Sequence, residues 1–145
     1  MELKGGYIED FISGIPVRAT PEEIEAVQVF SKMLVGDYGY PKEFIQTHPQ
    51  WRVKVRPSDT KKEYPVDIAV FSNKKHKDEN IQIIVECKKA NRKDGRTQLE
   101  DYLRFSTSQL GVWFNGHEKL FLKKTESKGR VLFEEIPNIP QHQTS

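Results

Sequence analysis

Residues 20–36 open with Thr20-Pro21-Glu22-Glu23 and continue with Ile24, Val27, Phe30 and Leu34 at helical spacing. This predicts a helix: a hydroxyl to cap the first amides, proline at the first helical position, and glutamate three residues past the cap. Gly36 and then Gly39-Tyr40-Pro41 end it. Before it, Gly5, Gly6, Gly14 and Pro16 interrupt a short apolar set at Tyr7, Ile8, Phe11 and Ile12. That stretch reads as a short helix or arm leaning on the domain.

The period then changes from helical to two. Trp51 to Arg56 alternates, with one apolar and one cationic face. Val66 to Phe71 is apolar apart from Asp67, and Ile81 to Lys88 stays mostly apolar up to Glu86. Strands apolar on both faces belong in the middle of a covered sheet. Polar segments from Pro57 to Glu63 and from Ser72 to Asn80 separate them. A second helix is predicted over Thr97–Phe105. A hairpin follows, Leu110–Asn115 with Lys119–Lys123 and Gly116 in its turn, and Val131–Ile136 forms a last strand. The order α-β-β-β-α-β-β-β is that of an α/β sandwich. It assigns residues 1–19 to an arm, 20–136 to the domain and the Pro-punctuated 137–145 to a tail or linker.

A chain of 145 residues suits one domain of this kind. One cysteine excludes an internal disulfide and a Cys-based zinc site within one chain. No apolar run approaches the roughly 20 residues of a membrane span, and the start lacks a signal-peptide pattern. An intracellular, cytoplasmic protein without membrane partners is expected. The formal net charge is only +2, but thirteen Lys and Arg face seven acids between Arg52 and Arg96. A basic middle between acidic ends fits a phosphate-facing surface, and equally a set of solvated loop lysines.

The chemistry concentrates where acids interrupt apolar strands. Asp67 and Glu86 each need a partner or a metal if buried. Glu86 and Lys88 are two apart and share a face, while Cys87 points the other way as a small core residue. If the two strands are neighbours, Asp67, Glu86 and Lys88 converge into a hard-oxygen site for Mg²⁺ with a cation beside it. The plainer alternative is ion pairing, Asp67 with Lys88 and Glu86 with Arg52 or Lys54. Gln98 and Tyr102, four apart on the second helix, share a face. They serve either as phosphate- or base-holding groups or as a solvated amide beside a half-buried phenol. The histidines at 48, 76, 117 and 142 show no ligand spacing and read as surface residues. Trp113 and Phe114 read as sheet core.

Pro65-Val66-Asp67, Glu86-Cys87-Lys88 and Gln98-x-x-x-Tyr102 together resemble the PD-(D/E)xK nuclease superfamily. The stretches TPEEIEAVQVFSKMLVGDYGYPKEFIQ, YPVDIAVF, IIVECKKANRK and GVWFNGHEKLFL are similar to the N-terminal domains of type I restriction enzyme R proteins, over about residues 17 to 140. Val66 separates the usual Pro-Asp pair. The resemblance implies a restriction-endonuclease-like sandwich, a central mixed sheet flanked by helices (an αβββαβ core plus a C-terminal hairpin). It further implies a DNA endonuclease using Mg²⁺, with Mn²⁺ as substitute. Asp67, Glu86 and the Cys87 backbone carbonyl would be metal ligands, with Glu23 or Glu25 as a further acid from the first helix. Lys88 would orient water and stabilise charge, and Gln98 and Tyr102 would position DNA or Lys88. Arg52, Lys54, Lys89, Arg92, Lys93 and Arg96 would contact DNA. Partners implied are a fused or associated helicase motor or adenine methyltransferase and a specificity component. No G-x-x-x-x-G-K-[ST] loop or Asn-Pro-Pro-Tyr is present, so neither ATP hydrolysis nor base methylation belongs to this chain. The rival reading is a catalytically silent DNA-binding or subunit-assembly module of the same fold.

Overall fold

A computed structural model describes residues 2–3, 5–54, 58–62, 64–90 and 94–143. Its elements are β1 (Glu2–Leu3), β2 (Tyr7–Glu9), β3 (Pro16–Arg18), a π turn (Glu23–Val27), α1 (Gln28–Gly36), β4 (Ile45–Gln46), β5 (Trp51–Val53), β6 (Tyr64–Val66), β7 (Ile68–Phe71), β8 (Ile81–Cys87), α2 (Arg96–Arg104), β9 (Leu110–Phe114), β10 (Lys119–Ser127) and β11 (Arg130–Ile136). A six-stranded sheet runs β11-β10-β9-β8-β7-β4. Only β8 and β9 are parallel, bridged by the α2 crossover, and the other pairs are antiparallel. The result is a mixed α/β fold with a helix on each face of the sheet.

Alternation along β8 assigns those faces. Ile83, Val85 and Cys87 pack with Phe30 and Leu34 of α1. Ile84 packs with Leu99, Tyr102 and Leu103 of α2 and with Trp51, Val53 and Val66. Cys87 is fully buried, as its strand parity predicts, and burial pushes its thiol well up. Trp113 and Phe114 are buried on opposite faces of the sheet.

Several expectations are corrected. The first nineteen residues contain no helix among those described; β1, β2 and β3 form a three-stranded antiparallel sheet. Their strands are two or three residues long, so they leave no readable periodicity. Ile24 does not join the core face and is 48% exposed. The π turn widens the first helical turn, so Ala26 is buried in its place, while Val27, Phe30 and Leu34 are buried as the spacing predicts. The Trp51–Arg56 strand is shorter, ending at Val53, with residues 55–57 outside the described set. It pairs with β6 in a separate two-stranded sheet. Val66–Phe71 is not one strand: the chain bends at Asp67, leaving β5 as partner and taking up β8. The segment read as a tail packs back on the domain. Ile139 is buried, Tyr38 donates to Asn138 Oδ1, and Tyr40 donates to the Pro140 carbonyl.

Two glycines set α2 close over the sheet. Gly95, at φ 123°, starts the helix where a Cβ would lie 2.9 Å from Trp113 Nε1. A Cβ on Gly111 would lie 2.7 Å from Leu103 Cδ1 and 3.0 Å from Leu99 Cδ1. Both leucines are fully buried and cannot swing into solvent. Gly111→Ala is therefore expected to destabilise the protein by about 1–3 kcal/mol through overpacking, measured by urea denaturation. A cost near zero would mean that α2 is free to lift.

Candidate active site

β7 pairs with β8 so that Ile68 faces Val85, and Asp67 and Glu86 are the next residues along the two chains. The bend at Asp67 turns its side chain inward, where Oδ2 accepts the Cys87 N–H at 2.7 Å and Oδ1 accepts Gln50 Nε2 at 3.3 Å. The Asp67 and Glu86 carboxyl groups lie within hydrogen-bonding reach of one another. Glu86 is only 5% exposed, and its Oε2 is buried without a donor. Two acceptors facing each other in the interior need a proton or a cation between them.

The electrostatics state the same need. Burial, and then the charge of Asp67, push Glu86 up to about 10. Burial also raises Asp67, against the opposing pull of its bonds to Glu86 and Cys87 N–H and the charge of Lys88. The Cys87 amide favours an ionised Asp67, while burial and the neighbouring carboxylate favour a protonated Glu86. Lys88 Nζ stands 4.0 Å from Glu86 Oε1, and its side chain is mostly buried. The Lys88 amide donates to the Phe114 carbonyl, which fixes the chain just past β8.

Gln98 and Tyr102 do meet. Gln98 Nε2 donates to the Tyr102 hydroxyl at 2.8 Å, and that hydroxyl donates to the Pro65 carbonyl at 3.1 Å. Tyr102 is buried, and burial with the nearby Glu86 charge raises its phenol to about 12. The pair thus ties α2 to the strand that leads into Asp67.

The first helix supplies more than the sequence indicates. Thr20 Oγ1 accepts the Glu23 amide at 3.1 Å, the expected cap. The Glu23 side chain turns away from it and accepts Gln28 Nε2 at 2.8 Å and His48 Nε2 at 3.1 Å. Its charge acts on Asp67, and that of Glu22 acts on Glu86. Glu25 points elsewhere, accepting the Ala90 amide at 3.2 Å. Ligand atoms of Asp10, Glu23 and His48 all lie within 4.8 Å of one another. His48, read from the sequence as a surface residue, is half-buried. Its bond to Glu23 raises its pKa against the opposing effect of burial, and the charges of Glu23, Asp10 and Asp67 add to the rise. Asp10, His48, Gln50 and Glu22 were not legible as site residues. The one sequence signal near Asp10 is Ser13 three residues on, which marks a turn.

Arg52, Lys54 and Lys89 are exposed. Arg96 is exposed and bonded to Glu100 and Glu135, each at 2.9 Å. Arg92 and Lys93 lie outside the described residues. Among the described residues, no helix is long and apolar enough to cross a membrane.

The chain thus combines a mixed α/β fold with half-buried Asp67, buried Glu86 and Lys88 close together beside the central strands. The family described as type I restriction enzyme R protein N terminus (HSDR_N) matches residues 21–140, and the chain belongs to that family. No curated protein and no solved structure matched it.

Proposed function

We propose that the chain is a Mg²⁺-dependent DNA endonuclease domain of the PD-(D/E)xK type, with a restriction-endonuclease-like core over residues 20–136. The observation that carries the reading is the pairing of half-buried Asp67 with buried Glu86, with Glu86 Oε2 lacking a donor and Lys88 beside it. A hard carboxylate oxygen without a protein donor fits a small divalent cation. A docking module has no need of such a pair, which costs stability in the absence of a ligand.

In this reading Asp67, Glu86 and the Cys87 carbonyl hold the cation, and Glu23 adds a further acid. A divalent cation, when bound, supplies Lewis acidity at the phosphate and makes water a better nucleophile. Lys88 places its ammonium against the phosphate oxygens as charge builds there. Gln98 and Tyr102 hold the strand entry at Pro65 and so keep Asp67 in register. Arg52, Lys54, Lys89, Arg92, Lys93 and Arg96 supply cationic contacts to the DNA backbone. The proposed setting is the cytoplasm, beside a helicase motor or adenine methyltransferase and a specificity component.

The test is nicking of supercoiled plasmid with Mg²⁺ or Mn²⁺, together with Mn²⁺ binding followed by electron paramagnetic resonance. Both signals are expected in the parent chain and both are expected to vanish in Asp67→Ala and Glu86→Ala. Cleavage surviving both substitutions, or a parent chain with no carboxylate-dependent Mn²⁺ site, sinks the assignment.

A further inference from the structure

Asp10 lies before the family-matched segment, at the end of β2 in the small N-terminal sheet, and it is fully buried. Its carboxylate is saturated with donors. Oδ2 accepts Ser13 N–H at 2.8 Å, Ser13 Oγ at 2.7 Å and Thr47 Oγ1 at 2.6 Å. Oδ1 accepts Gln28 Nε2 at 2.7 Å. That same Gln28 amide donates to Glu23 Oε1, while Gln28 Oε1 accepts the Phe11 amide at 2.8 Å. One buried glutamine side chain thus joins the N-terminal sheet to Glu23, whose other partner His48 lies two residues before Gln50, a donor to Asp67.

The π turn makes this joint possible. Glu23 and Gln28 are five apart, and the Gln28 N–H bonds to the Glu23 carbonyl, an i→i+5 step. On an α-helix, positions five apart sit about 140° apart around the axis, so the two side chains would diverge. The wider turn brings one over the other. His48 closes the group from the opposite side, 3.1 Å from Glu23 and 3.9 Å from Asp10. Both the Gln28 and His48 bonds fall on Glu23 Oε1, so that carboxylate is held in one orientation. A solvated capping-box glutamate needs none of these restraints.

We propose that Asp10, acting through Gln28 and the π turn, is a positioning residue that fixes Glu23 toward the cation pocket, so that the N-terminal sheet completes the nuclease centre. This inference rests on the proposed nuclease reading, and the experiment separates the two. Mn²⁺ affinity of the full chain is measured for the parent, Asp10→Asn, Gln28→Met and Glu86→Gln, each beside its melting temperature. Asp10→Asn and Gln28→Met are expected to weaken Mn²⁺ binding about 10-fold or more, as losses in the surroundings of metal ligands do. At saturating Mn²⁺ they are expected to lower kcat for plasmid nicking and leave KM unchanged. Should Asp10→Asn fail to fold, Gln28→Met carries the test, because it removes the link and adds no charge. Unchanged Mn²⁺ affinity in a folded variant, with Glu86→Gln binding none, overturns the positioning role and leaves the nuclease reading standing. Equal Mn²⁺ binding by the parent and Glu86→Gln overturns both.

Discussion

Glu86→Gln is expected to stabilise the cation-free protein at neutral pH while abolishing its Mn²⁺ binding. In the folded chain Glu86 keeps its proton up to about 10, because it is buried beside Asp67. In the unfolded chain the same group releases its proton near its ordinary value of 4.5. Between those two limits the folded state binds more protons than the unfolded state, so stability falls as pH rises. The stabilising contribution is fully present below the unfolded value and is lost as pH climbs toward the folded one. The slope approaches about 1.4 kcal/mol per pH unit for a single group, which makes the cost at pH 7 on the order of 3–4 kcal/mol. A glutamine donates to Asp67 as the protonated acid does, yet has no proton to lose.

Urea denaturation at pH 5, 7 and 9 without divalent cations checks this, the parent weakening with pH relative to Glu86→Gln. Adding Mn²⁺ is expected to restore the parent alone, since a ligand bound only by the folded state stabilises it. Calorimetry in buffers of different ionisation enthalpy is expected to show about one proton released per cation bound at pH 7. A parent whose stability does not decline from pH 5 to 9 relative to the variant would show that the acidic pair holds no shared proton.

The features of the site that the sequence announces are those in which chemistry interrupts a regular pattern. Asp67 and Glu86 break apolar runs, so each is expected to need a partner if buried, and the β7–β8 register, ending at Ile68 and Val85, leaves them as neighbours just beyond it. Gln98 and Tyr102 follow from helical spacing in the same way and are joined by a hydrogen bond. The features that escape are made by contacts without local period. Asp10 meets Gln28 and Thr47 across 18 and 37 residues. His48 meets Glu23 across 25. Three-residue strands such as β2 and β3 carry too few positions to show alternation, and glycine turns hide their pairing. The π turn is invisible for another reason: Thr20-Pro21-Glu22-Glu23 is an equally good start for an ordinary helix. Only the tertiary bonds to Gln28 and His48 show that Glu23 faces inward.

Lys88→Met is expected to lower the plasmid-nicking rate about 10²–10³-fold, the usual cost of removing one preorganised group that meets developing charge. The ammonium sits 4.0 Å from Glu86 Oε1, its stem passes beside Gly95, and the Lys88 amide donates to the Phe114 carbonyl. Methionine keeps the apolar stem and leaves that backbone bond in place, so the fold is expected to survive. The carboxylates also survive, and Mn²⁺ binding is therefore expected to persist, tightened if anything because a competing positive charge has gone. The signature is thus a fall in kcat with KM for DNA and cation affinity nearly unchanged, as for an interaction made chiefly in the transition state. Single-turnover nicking at saturating Mn²⁺ reads it directly. Lys88→Arg is expected to rescue poorly, because its planar fork does not reproduce a compact ammonium held near Gly95 and Glu86. A Lys88→Met protein that nicks DNA at the parent rate removes Lys88 from the chemistry and leaves it as a structural counter-charge to Glu86.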